Sequence, residues 1–457
     1  MQHFRKNFWW CLTRKTNSFF EITACQAIER KNKFTYFQTF SENPIFILND
    51  TALIQERTYS FHYYDDRFFE LCKEAGEVYT QSINEFWRMY KEEGTWLSKF
   101  DLQKHMKDKI ERNNLHSDSF LAAMQQVHAN LASWKDAKKI KPETKPPYKE
   151  KFLQPVTFKQ SQIKFIDSKL RITIDKHKSY IYLAWNKDIP VPVYGRVGYD
   201  KVKGWHIDLV VKQDIEQAGN LDPNRGMAID LGVKRIAALF DGERTITMNG
   251  KTLKAIVRYR NKTDAEYKEK LAKKEKDSNA YKKLKRARRK AVAKIQNIKK
   301  DTLNKQSRFI VDYAENKNIG KIVIGDNSGT HDKLKMRHEQ KQMVQQFPEQ
   351  QLKKYVIEKF ESIYGEAEVK PEPYTSQTCP ICGKRHKTST RVYKCKDCGF
   401  IYDRDGVGAI NIYCENVSLV EDRRIRRLAR PFGIKFKDDL SFKQYAKQLD
   451  DLPISPR

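Results

Sequence analysis

Apolar positions change their period along the chain. The stretch ALIQERTYSFHYY, beginning at Ala52, alternates apolar and polar residues, as does a strand with one buried face. Over residues 66–139 the spacing turns helical, and FFELCKEAGEVYTQSINEFWRMY puts Phe69, Cys72, Ala75, Val78 and Tyr79 on one side. A second helix, SDSFLAAMQQVHANLASW, is predicted to start with Ser117 as its N-cap. The Pro-rich KPETKPPYKEKFLQP (141–155) ends the helices and reads as a linker. The short alternating runs VTFKQSQIKFI, KLRITID, SYIYLAW, VPVYGRV and GWHIDLVV follow, predicting a small barrel or sandwich to which residues 51–64 add a strand.

The pattern shifts at Gly226. MAIDLGVKRIAALF and ERTITMNGKTLK read as strands, and a helical stretch runs from about Lys254 to Glu315. KIVIGD, the helix QQLKKYVIEKFESIYG and the strand AEVKPEP come next, an order that predicts an α/β sheet with parallel members. Residues 1–48 lack a clear period and read as a weakly ordered extension.

Charge narrows the function classes. The 457 residues carry 88 Lys+Arg against 58 Asp+Glu, a formal net charge of +30. A chain this basic faces a polyanion, because neutralised phosphates release condensed counterions. No apolar run approaches the ~18 residues of a membrane-spanning helix, so nucleic acid is the expected partner rather than a membrane. The N-terminus lacks the long apolar core and cleavage site of a signal peptide. Of eight cysteines, four are scattered (Cys11, Cys25, Cys72, Cys414), which suits a reducing cytoplasm better than a disulfide framework. The other four, Cys379, Cys382, Cys395 and Cys398, form two CxxC-Gly knuckles. Four thiolates close a tetrahedral structural Zn²⁺ site, leaving His386 no place in the shell.

Residues 281–300, YKKLKRARRKAVAKIQNIKK, contain ten Lys or Arg and no acid. Leu284, Ala291, Ile295 and Ile298 give this predicted helix an apolar stripe. Its cations Lys282, Lys283, Lys285, Arg286, Arg288, Arg289 and Lys290 are expected to meet a phosphate backbone. The aromatics Tyr79, Phe86, Trp87 and Tyr90 are expected in a core rather than stacked on bases. The tail RRIRRLARPFGIKFKDDLSF is basic and broken by Pro and Gly, an RNA-binding arm or a solubilising segment.

Two carboxylates stand in apolar surroundings. Asp230 lies inside GMAIDLGVK, where a charge is costly unless it is paired or binds metal. Asp405, in DRDG before VGAINIY, opens a helix whose dipole favours an anion. The order DLGVK, basic helix, KIVIGD, YTSQTCPxCG, second CxxC and DRDxxxAINI resembles TnpB, the RNA-guided nuclease encoded by insertion sequences of transposable elements and related to type V CRISPR effectors. The resemblance covers residues 226–413 strongly and 50–225 in general plan.

That resemblance implies a multidomain α/β chain. Its parts would be a RuvC (RNase H-like) nuclease domain at 226–376 and 401–415, with a zinc ribbon at 377–400. An oligonucleotide-binding β-barrel would use 49–65 and 141–225 and a helical recognition module 66–140, whereas the basic tail 416–457, read from its composition, lies outside the resemblance. It implies a RuvC-type DNA endonuclease whose partners are a guide RNA and double-stranded target DNA bearing an adjacent recognition motif. Three carboxylates would hold two catalytic Mg²⁺ ions, one ion activating the attacking water and the other stabilising the leaving 3′ oxygen. Asp230 matches the first acid and Asp405 the last, but the second acid's position is Gly325. Either Glu372 reaches in from the next strand, or Asp326 substitutes, or the chain is an inactive RNA-guided repressor. Strand alternation places Asp326 on the face opposite residue 325 unless the strand has already ended. Glu372, a longer side chain at the end of the neighbouring strand, is the acid expected first, with the other two readings open.

Overall fold

The computed structural model describes residues 36–37, 47–49, 52–214, 221–326, 337–388, 390–417 and 432–434. The alternation begun at Ala52 becomes strand β3 (Ala52–His62), which β1 (Tyr36–Phe37) and β2 (Ile47–Asn49) flank as antiparallel partners. Both short strands fall in the segment expected to be a weakly ordered extension. They join through backbone hydrogen bonds, which need no hydrophobic period; the rest of residues 1–48 lies outside the described residues.

Helices α1 (Arg67–Glu93), α2 (Lys99–Met106) and α3 (Ser117–Ile140) come next. The buried face of α1 uses Phe68, Leu71, Cys72, Ala75, Val78 and Tyr79, whereas Phe69 is exposed against Phe152. The first turn is thus one residue, about 100°, out of phase with the expected stripe. Helix α3 includes Ser117, and its cap is His116, whose Nδ1 accepts from the Asp118 N–H at 3.2 Å. Tyr79, Phe86 and Trp87 are core residues, and Tyr90 is exposed.

Strands β4 (Val156–Lys159), β5 (Ile163–Ile166), β6 (Lys169–Thr173), β7 (Tyr180–Ala184), β8 (Tyr194–Asp200) and β9 (Gly204–Asp214) realise the alternating runs. The first sheet has the order β1-β3-β9-β8-β4 with β2 on β3, and β5-β6-β7 form a separate three-stranded sheet. Their inward residues, among them Phe158, Leu170, Ile172, Ile207, Leu209 and Val211, share one core with α1 and α3. The Pro-rich segment between is strapped to α1: Trp87 Nε1 donates to Pro147 O at 3.3 Å, and Gln154 N donates to Cys72 O at 2.9 Å.

The third sheet positions the candidate site. It contains β10 (Asp222–Leu231), β11 (Arg235–Phe240), β12 (Thr245–Asn249), β13 (Ile319–Asp326) and β14 (Glu366–Pro371). Between β12 and β13 the helical stretch is two helices, α4 (Lys251–Ala272) and α5 (Asn279–Asn316). Ser278 separates them, its Oγ capping α5 by accepting from Tyr281 N at 3.2 Å. Helices α6 (His338–Gln346) and α7 (Glu349–Glu361) lead into β14. The hairpin β15 (Val392–Lys394)/β16 (Ile401–Asp403) precedes helix α8 (Arg404–Asn416), and β17 (Phe432–Ile434) closes the order β14-β13-β10-β11-β12-β17. Strands β10, β13 and β14 are parallel. The basic tail therefore supplies a strand, parallel to β12; its remaining residues after 417 lie outside the described residues.

Alternation sorts the two faces of this sheet. Met227, Ile229, Leu231, Ile322 and Ile324 pack with Phe309 and Ile310 of α5 and Leu352, Val356 and Phe360 of α7. Ala228 and Val323 pack with Ile412, while Ala238 and Phe240 pack with Val407 and Ile410, all on the α8 side. The multidomain architecture is therefore mixed α/β. Among the described residues no helix is long and apolar enough to cross a membrane.

Candidate active site and metal centre

Asp230 is next to last in β10 and pairs with Ala238 in register, so its side chain lies on the face covered by α8. The approach is close: a Cβ on Gly408 of α8 would stand 2.2 Å from Asp230 Oδ2. In DRD the two acids divide the labour. Asp403 is the N-cap, its Oδ1 accepting from the backbone N–H of Asp405 and Gly406 at 3.1 and 3.2 Å. Asp405, in the first turn, is held by Arg391, whose Nη1 donates to Oδ1 at 2.6 Å and Oδ2 at 2.8 Å. Arg235 bridges the two acids, 2.7 Å from Asp403 Oδ2 and 3.6 Å from Asp405 Oδ2. Neither arginine was a sequence candidate, because each meets its acid only through the fold.

Gly325 lies one step beyond the Ile229–Ile324 pair, hence beside Asp230 and on the same face. A Cβ placed on it would sit 1.8 Å from Glu372 Oε2 and 2.7 Å from Ile412 Cδ1. The Glu372 carboxyl thus occupies the space that a side chain at 325 would fill. Glu372 reaches it from just past β14, whose last residue, Pro371, pairs with Asp326. Asp326 turns to the other face, where Lys353 Nζ of α7 donates to its Oδ1 at 2.9 Å.

Glu372 Oε2 is buried without a hydrogen-bond partner. Burial, and then the charges of Glu349 and Asp326, push its carboxyl up to about 8, against the pull of Lys353. Burial likewise raises Asp230 well above the carboxylate range, aided by Glu372, Asp405 and Glu349 and opposed by Arg404. Glu349, the buried first residue of α7, is a further acid close enough to act on both. It too was missed, since no motif spacing links it to the others. Among the described residues no three of these acids converge as tightly as the four cysteines do. Oxygen donors gathered at the ends of β10 and β13, one of them orphaned and two raised by burial and mutual repulsion, form a donor set that fits a hard divalent cation.

The cysteines converge. Cys379 Sγ lies 3.6 Å from Cys398 Sγ, and Cys382 Sγ lies 3.5 Å from Cys395 Sγ. Sulfurs about 2.3 Å from a tetrahedral centre are about 3.8 Å apart, so the four can hold a metal such as zinc. His386 turns to Asp397 with its Nε2. The buried Asn411 of α8 ties the ribbon to the acid site, its Nδ2 donating to Thr375 O at 2.6 Å and Thr378 O at 2.8 Å.

On α5, Lys282, Lys283, Lys285, Arg286 and Lys290 are exposed and Arg289 is half-buried. Arg288 is not open to a ligand in the same way. Its Nε donates to Asp264 Oδ1 of α4 at 2.8 Å, so the neighbouring helix supplies the acid that the run lacks. Of the expected apolar stripe, Ile295 is buried but Ile298 is exposed.

Comparison with known proteins agrees with this arrangement. Residues 209–330 match the family described as a probable transposase, and residues 350–412 match the Cas12f1-like TNB domain. The chain is 45% identical over 49 residues to a TnpB-like protein of Methanocaldococcus jannaschii, a match that spans 10% of this chain and 23% of that protein. Among solved structures, its fold is similar to Cas12f1 in the Cas12f1–sgRNA–target DNA complex, with a TM-score of 0.56 and 15% identity, covering 76% of this chain and 81% of that one. It is also similar in fold to the mini-RNA-guided endonuclease CRISPR-Cas phi3, with a TM-score of 0.50 and 10% identity, covering 82% and 93%. Two family models fall on the third sheet and the cysteine cluster, in the order of the DLGVK, KIVIGD, YTSQTC, CxxC and DRD motifs, and together with the TnpB-like relative they make these segments of the chain similar to the TnpB family.

Proposed function

We propose that this chain is an RNA-guided, Mg²⁺-dependent DNA endonuclease of the TnpB type, with its second catalytic acid relocated to Glu372. The observation that carries the reading is the overlap of the Glu372 carboxyl with the side-chain space of Gly325, on the face shared with Asp230 and covered by α8. In this reading the third sheet with α4, α5, α7 and α8 is a RuvC-like domain. The cysteine ribbon carries structural Zn²⁺, as suits a reducing cytoplasm. The first two sheets serve as an oligonucleotide-binding barrel, and α1–α3 serve as the recognition module for the target-adjacent motif. Guide RNA pairs with one strand of the double-stranded target, and the exposed cations of α5 hold the backbone.

Asp230, Glu372 and Asp405 would hold the catalytic Mg²⁺. Once bound, the metal supplies an activated water and charge stabilisation at the leaving 3′ oxygen. The chain's own groups set that centre. Arg391 and Arg235 fix Asp405 in place, Asp403 starts its helix, and the apolar contacts between α8 and the sheet hold that helix against the strand of Asp230.

The test is plasmid cleavage by protein purified with its co-expressed RNA, using a matched target library and Mg²⁺. Asp230→Ala and Glu372→Gln should each abolish cutting and leave target binding within about twofold. Cutting that survives Glu372→Gln would remove Glu372 from the site. Wild-type protein that binds its target and never cuts would identify the inactive, guided DNA-binding alternative.

A further inference from the structure

Helices α4, α5 and α6 line a half-open cavity of about 190 Å³. Its apolar lining includes the buried Val257 and Ile295, and its polar lining is Arg260, Gln296, Lys299 and Gln346. The polar groups are mostly donors, and two are cations. Arg260 Nη1 donates to Asn261 Oδ1 at 3.1 Å, and Asn261 Nδ2 donates to Gln346 Oε1 at 2.6 Å. That chain leaves Arg260 Nε buried with no acceptor. Lys299 is held below the ordinary lysine range by burial and then by the charge of Arg260, and no carboxylate offsets either effect.

Among the described residues no acid lines this cavity, which sets it apart from its surroundings. Lower on the same pair of helices, Arg288 is neutralised by Asp264, which also meets Lys268 at 3.0 Å. At the cavity the corresponding partner is missing, and two like charges share a partly dry space. That arrangement is costly for the protein alone and becomes favourable once an anion with several acceptor oxygens enters.

We propose that the cavity between α4, α5 and α6 is a phosphate-binding site, with the Lys299 ammonium and the free Arg260 N–H as its anchors and the Gln296 amide as a further donor. Lys299 follows the exposed Lys282–Lys290 run on the same helix. The phosphate is therefore a phosphodiester of bound nucleic acid, seated where the cationic track dips into the protein. The source of the phosphate rests on the nucleic-acid reading above, whereas the site itself does not.

Two measurements on the full chain decide it, using wild type, Lys299→Met and Arg260→Gln. The first is thermal melting in inorganic phosphate against chloride at equal ionic strength. Phosphate should raise the wild-type Tm and leave Lys299→Met unmoved, and Lys299→Met should melt no lower than wild type because a repulsion has gone. The second is the salt dependence of binding to an RNA–DNA heteroduplex of about 20 base pairs. Each cation removed should lower the magnitude of the log K against log [salt] slope by about 0.7–0.9. A phosphate effect with an unchanged slope would keep the site and identify free phosphate as its ligand. Equal phosphate responses in wild type and variants, with unchanged slopes, would overturn the proposal. Wild-type protein that binds no nucleic acid would refute the guided-nuclease reading, and the melting comparison would still decide the cavity.

Discussion

At the residue scale, Gly325 and Glu372 are complementary: one omits a side chain and the other fills the space. The atoms nearest a Cβ at 325 are the flexible end of Glu372 and a methyl of Ile412. Gly325→Ala should therefore fold with little change in Tm but displace the Glu372 carboxyl. Misplacing a catalytic group by about 1 Å costs on the order of 10²-fold in rate, and plasmid cleavage should fall by about that much. The double variant Gly325→Glu/Glu372→Gly, with the acid back on the strand, should recover part of the loss. Wild-type cutting by Gly325→Ala would mean that the close approach has no catalytic consequence. Asp230, Asp405 and the vacancy at 325 were legible in the sequence because each sits inside a motif of fixed order. Glu349, Arg235 and Arg391 were not, since their relation to the acids exists only after three strands and a helix have met.

At the element scale, α8 joins the acid site to the ribbon. Its N-terminus carries Asp405, and two turns later Asn411 holds the loop between β14 and the first knuckle through two backbone carbonyls. Both Asn411 and Thr375 are buried, so no water replaces the lost donor. Asn411→Ala should cost about 1–3 kcal/mol, the penalty of leaving the buried Thr375 carbonyl without its donor, since the Thr378 carbonyl is only half-buried. Calorimetry would measure this, and zinc content should stay at the wild-type level because four thiolates close the site independently. Unchanged melting would show that the loop is held by other contacts. Elements with a long period or a strong boundary, such as α7, β13 and the strands from β4 to β9, were legible. The pairings of β1, β2 and β17 were not. Two- and three-residue strands carry no measurable period, and what recruits them is the unsatisfied backbone of a neighbouring edge strand.

At the scale of the whole molecule, a chain with a net charge of +30 concentrates acids at one point and lets them repel each other. Their protons link that point to global stability. Glu372 moves from an ordinary value of 4.5 up to about 8 in the folded chain, so between those limits the native state binds more protons than the unfolded state. Stability must then fall as pH rises through that window, by on the order of 5 kcal/mol for this group at one pKa unit per 1.36 kcal/mol. Asp230 is raised too and contributes with the same sign. In chelator-treated buffer free of divalent cations, the wild-type Tm should therefore decline from pH 4.5 to about 8, and Glu372→Gln should decline less. Millimolar Mg²⁺ at the alkaline end should restore wild-type stability with release of a proton, because the cation stabilises the carboxylate that burial disfavours. The variant should gain less from it. Parallel pH profiles for wild type and variant, with equal gains from Mg²⁺, would mean that Glu372 neither carries the excess proton nor faces the cation, and the relocated acid would have to be sought elsewhere on the α8 face of the sheet.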